Sequence, residues 1–138
     1  MGMPVAGYAK AAREAVYYVW TCRLGSKARS AKYRSRAAKG LGWGRREIVY
    51  DHAIPFGYEL KALLELTELN PETVRTVLDR YEVSAIITAD EDGRVRLAGF
   101  GRKMPNDWDG VDPLARYRAV GIEIGENPEF GGEALGAL

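Results

Sequence analysis

Cysteine and histidine are nearly absent: 138 residues include one of each, Cys22 and His52. One cysteine cannot close an internal disulfide, and the pair cannot assemble a structural zinc site of the usual Cys/His kind. Long apolar runs are missing too, none approaching the roughly 20 residues that a membrane helix needs. The opening Met-Gly-Met-Pro-Val-Ala has no basic stretch followed by an apolar one. A protein of the reducing cytoplasm, with no membrane association, is the expectation. Hydrophobic residues make up 46% and charged residues 28%, which places the chain among folded domains rather than disordered segments. Its length supports one core. The expected division is a single domain over 1–124, with a basic helical part at 1–46 and an acidic body at 47–124, followed by a flexible Gly-rich tail at 125–138.

Charge is distributed unevenly. The net value is only +1, yet residues 1–46 hold 11 of the 20 Lys and Arg against a single acid, Glu14, whereas 47–138 hold 9 bases against 18 acids. An asymmetry of this size points to a basic surface for a polyanion, nucleic acid above all, beside an acidic body. The alternative at this level is mutual neutralisation of the two parts within one fold.

Periodicity predicts an α+β fold. Ala9, Ala12, Val16, Val19 and Trp20 recur at helical steps over Tyr8–Leu24, and Gly25 then stops the helix. Lys27–Lys39, free of Gly and Pro, reads as a second helix, so the N-terminal part is a helical pair. On that second helix Arg29, Lys32, Arg36 and Lys39 form one cationic stripe. Glu47–Ile54, rich in β-branched and aromatic residues, reads as a strand ending at Pro55. The leucines of Tyr58–Leu69 mark a core helix, and Asn70-Pro71 supplies an N-cap and a first-turn proline for a second one through Tyr81. Val83–Ala89 and Arg94–Ala98, separated by Asp90-Glu-Asp-Gly93, read as a β-hairpin. Asp112-Pro113 opens a short helix to Ala119 that ends at Gly121, and Ile122–Ile124 is a candidate edge strand. The sheet is expected to be small and antiparallel, with a core of Val16, Val19, Leu60, Leu63, Leu64, Val74, Val77, Leu78, Ile86 and Leu97.

Three places could carry chemistry. The first is the basic segment, in which Arg29, Lys32, Arg36, Lys39, Arg45 and Arg46 lie among Tyr33 and Trp43, combining phosphate-binding charge with rings on which bases stack. The second is Asp51-His52-Ala53-Ile54-Pro55. A carboxylate beside a histidine at a strand end, then an apolar pair and proline, resembles the first element of the HNH-type ββα-metal nucleases. The resemblance implies a divalent metal (Mg²⁺, Mn²⁺ or Zn²⁺) bound by Asp51, with His52 as the general base that activates water for attack on phosphorus. The family's central Asn and second ligand fall to Asn70 and Asp79, since there is no second histidine. The third place, Asn106–Asp112, offers four oxygen-bearing side chains but matches no calcium-loop spacing and reads as a polar loop.

Two functions therefore stand as expectations. One is a small nucleic-acid-binding protein, with or without metal-dependent phosphodiesterase activity. The other is a phage or mobile-element protein that binds and inhibits a bacterial defence complex without catalysis. The sequence leaves the oligomeric state open.

Overall fold

The computed structural model describes residues 27–41 and 47–131. The elements in chain order are α1 (Lys27–Ser30), β1 (Tyr33–Ser35), β2 (Ile48–His52), α2 (Phe56–Leu64), α3 (Pro71–Tyr81), β3 (Ser84–Thr88), α4 (Ala89–Leu97), α5 (Ala115–Ala119) and β4 (Ile124–Glu126). The α+β class holds. The first expected helix, with Val16 and Val19, lies outside the described residues, as do Trp43, Arg45, Arg46 and the end of the tail.

The four strands form one sheet in the order β2-β3-β1-β4. β2 runs antiparallel to β3, from Ile48 opposite Thr88 to His52 opposite Ser84. β1 runs parallel to β3 and antiparallel to β4, so the sheet is mixed rather than antiparallel. Side chains alternate across it. On one face Val49, Ala85 and Ile87 pack with Val95 of α4, Leu114, Tyr117 of α5 and Ile122. On the other, Ile48, Tyr50 and Ile86 meet Ala31, Ala38 and Leu41.

Three local expectations are corrected. The helix expected over Lys27–Lys39 ends at Ser30, and the chain becomes an inner strand. Helix propensity loses here to tertiary pairing: Lys32 N–H donates to Ser84 O at 3.0 Å and Lys32 O accepts from Asn127 N–H at 2.9 Å. The buried Asn127 amide also donates to Ala28 O and Ala31 O at 2.7 and 2.8 Å, satisfying carbonyls that a longer helix would have used. The segment expected to be a tail from Gly125 thus contributes an edge strand and this anchor.

The hairpin is also replaced. Its first arm is β3, but Ala89–Leu97 is a helix. Thr88 caps it: its hydroxyl accepts from Glu91 N–H at 3.1 Å, and the Glu91 carboxylate accepts from Thr88 N–H at 2.9 Å. This reciprocal box outweighs the turn signal of Asp92-Gly93. Acids in the first turn and arginines in the last suit the helix dipole, and Gly99, at φ +87°, follows its end.

Part of the expected core is surface. Val77, Leu78 and Ile86 are buried, but Leu97 is 90% and Leu64 71% exposed. On a helix Leu97 lies about 200° from the buried Val95. The α3 cap stands as expected: Asn70 Oδ1 accepts from Thr73 N–H at 2.9 Å, with Pro71 in the first turn. No described helix is long and apolar enough to cross a membrane.

Candidate functional site: the two sides of the β2 end

β2 ends with Asp51 and His52, and consecutive strand residues point to opposite faces. Asp51 meets a buried arginine. Arg116, on α5 and 2% exposed, donates from Nη2 to Asp51 Oδ2 at 2.8 Å, and Tyr117 OH donates to the same oxygen at 2.7 Å. The guanidinium also reaches Ala53 O at 3.0 Å, Phe100 O at 2.7 Å and His52 O. One side chain thus ties the end of β2, α5 and the loop after α4. Burial, and next the charge of Asp51, push the Tyr117 hydroxyl well above the usual phenol range.

His52 meets carboxyls. Its Nε2 lies 3.2 Å from Glu82 Oε1; the imidazole is 30% exposed and the Glu82 side chain 5%. Glu82 Oε2 has no hydrogen-bond partner among the described residues, and neither has either oxygen of the buried Glu59 on α2. Burial, and then the proximity of Glu82, raise the Glu59 pKa to about 10. Glu59 is therefore a neutral acid at pH 7, and the proton it keeps is the one available to bridge the two carboxyls.

A cleft of about 540 Å³ opens at this corner, lined by Tyr50, Asp51, His52, Phe56, Gly57 and Arg102 among others. Phe56 meets the His52 ring edge-on at a centroid distance of 6.3 Å. The loop carrying Arg102 is fixed at both ends, by Arg116 on Phe100 O and by Tyr58 OH, which accepts from Met104 N–H at 2.9 Å.

No protein family model, curated protein or solved structure matches this chain. The assignment of residues rests on the geometry alone.

The expected metal ligands are not brought together. Asp51 Oδ2 is held by Arg116 and Tyr117, and Asn70 Oδ1 is spent on the α3 cap. Asp79 lies nine residues along the same helix from Asn70, roughly 13 Å away and on its opposite face, and faces Arg75 at 3.9 Å. No group of three or more His, Cys, Asp and Glu among the described residues is placed to hold a metal ion. The set Asp51, Asn70 and Asp79 does not fit one.

The cationic side chains keep their exposure but not a helical stripe. Arg29, Lys32, Arg36 and Lys39 are all exposed, placed on α1, just before β1 and in the turn after it rather than along one helix. Arg36 pairs with Glu123 at 3.1 Å, both ends open to solvent. Tyr33 turns its ring to the core, with Lys32 Nζ 5.7 Å from its centroid. Arg34 is buried, its Nε donating to Ala38 O at 3.1 Å. Ser30 Oγ donates to Tyr50 Oη at 3.1 Å, joining the basic segment to the cleft rim.

Arg116, Tyr117, Glu82 and Arg102 escaped sequence reasoning, since nothing local distinguishes them from surface residues. Glu59 did leave a signal: it stands on the helical stripe of Phe56, Leu60 and Leu63, where an acid is out of place.

Proposed function

We propose that the protein binds nucleic acid, its backbone phosphates held by Arg29, Lys32, Arg36 and Lys39 and the strand led to the cleft beside His52. The observation behind this reading is the Ser30–Tyr50 hydrogen bond, which joins the segment carrying the exposed Arg29 and Lys32 to the rim of a cleft that holds a further arginine. The Arg36–Glu123 pair is no obstacle, because exposed ion pairs contribute little and a phosphate competes for the guanidinium.

Phosphodiester cleavage is the second reading, favoured by His52 at the cleft rim with the buried Glu82 behind it. An imidazole so held takes the proton of a water attacking phosphorus. Because Asp51, Asn70 and Asp79 do not fit a metal ion, no step is assigned to one.

Labelled single- and double-stranded DNA and RNA, incubated with Mg²⁺, Mn²⁺, Zn²⁺ or EDTA beside His52→Ala, test both readings. Retarded migration that weakens with salt is the expected result. Cleavage lost in His52→Ala establishes the second reading. Neither retardation nor cleavage overturns both and leaves a protein partner, as for an inhibitor of a defence complex.

A further inference from the structure

Arg102 stands apart from the other arginines. It is exposed, lines the cleft, and makes no hydrogen bond or ion pair among the described residues, whereas every other described arginine has a hydrogen bond, an ion pair, or a ring or electrostatic contact. Its neighbour Lys103 is exposed as well. Over 47–138, where acids outnumber bases two to one, an Arg-Lys pair with no ion pair among the described residues, on a loop anchored at both ends, is a placed cation. The half-buried Phe56 and Tyr50 line the same cleft. The first turn of α2 opens on the same space: Pro55 caps the helix without a side-chain bond, and a Cβ added at Gly57 would meet nothing within 4 Å.

We propose that this cleft seats one unpaired nucleotide, its base against Phe56 and Tyr50 and its phosphate on Arg102, so that the protein prefers single-stranded to duplex nucleic acid. The inference rests on the nucleic-acid reading above and adds strand state to it. The volume suits one nucleotide. Ring-to-base stacking needs an exposed π-face, which a paired and stacked base does not offer. Arginine supplies the fork that phosphate oxygens accept.

The test is fluorescence anisotropy of the full chain with a labelled mixed-sequence DNA of about 12 nucleotides, a length within the usual single-strand site range, as a single strand and as its duplex. The single strand is expected to bind roughly ten-fold tighter. Phe56→Leu and Arg102→Ala each lower that affinity by about ten-fold, while Arg75→Ala, an equal charge loss on α3, changes it less than about two-fold. Equal affinity for both forms, unmoved by Phe56→Leu, overturns the cleft proposal while leaving nucleic-acid binding intact. Absence of binding to either form overturns both. Should Phe56→Leu fail to fold, ultraviolet cross-linking of an iodouracil-substituted strand to the unaltered protein replaces it. Attachment at Phe56 or Tyr50 is the expected result, and attachment only elsewhere overturns the proposal.

Discussion

On one side of the β2 end, Asp51 lies against a guanidinium that also reaches three backbone carbonyls; on the other, His52 lies against Glu82, which together with Glu59 leaves three carboxyl oxygens without a hydrogen-bond partner among the described residues. The first arrangement is saturated. A carboxylate and three carbonyls accept from four of the five N–H groups of Arg116, and the side chain is 2% exposed, so it fixes geometry and is out of a ligand's reach. The second is unsaturated and opens on a cleft, and buried polar groups without partners cost free energy that a fold retains only with some compensation. Adjacent residues thus turn to different partners across the sheet, which is why Asp51 and His52 do not converge on one metal ion.

The comparison breaks most visibly at Arg116. Arg116→Met strands the part-buried Asp51 and releases the loop carrying Arg102, with an expected loss of about 3–5 kcal/mol in urea denaturation. A loss near zero would show that the saturated side does not hold the corner together.

Glu59→Gln acts on the other side and in the opposite direction. Because the folded pKa of Glu59 is raised from 4.5 to about 10, its contribution to stability is fully present below about pH 4.5 and is lost as pH rises toward about 10. The amide cannot ionise, so the variant should be more stable at about pH 8, by roughly 1–3 kcal/mol, with the difference fading toward about pH 4. Urea melts of both proteins across this window check the sign.

Smaller effects sharpen the account of α4, which supports the saturated face. Gly93 lies inside the helix with negative φ and open space where a Cβ would stand. Gly93→Ala should therefore stabilise by about 1 kcal/mol, whereas in a hairpin turn with positive φ it would destabilise. Leu97→Ser should change thermal stability by less than about 0.5 kcal/mol, since the side chain is on the surface.

These residues also show what the sequence makes legible. Caps and stops are local chemistry: Asn70-Pro71, Pro55 after β2 and Gly121, at φ +74°, all act where they were expected to. Thr88 and Glu91 were equally local, but their capping box competed with an Asp-Gly turn signal, and the reciprocal hydrogen bonds decided for the helix. β1 is not local at all. Its conformation depends on Ala85, Ile86 and Glu126, far along the chain, and no property of Lys27–Lys39 alone announces that. The candidate site divides the same way: His52 and the exposed cations could be read from residue type and pattern, whereas Glu82 beside the histidine and Arg102 in the cleft lining follow only from the tertiary fold.

The most direct test of the central claim is the salt dependence of binding to the labelled single strand. Contacts from Arg29, Lys32, Arg36, Lys39 and Arg102 predict that log K falls linearly with log salt concentration, with a slope of roughly −3.5 at about −0.7 per neutralised phosphate, and that Lys32→Glu makes the slope shallower. Undetectable binding at low salt, or an affinity indifferent to salt, would contradict the account.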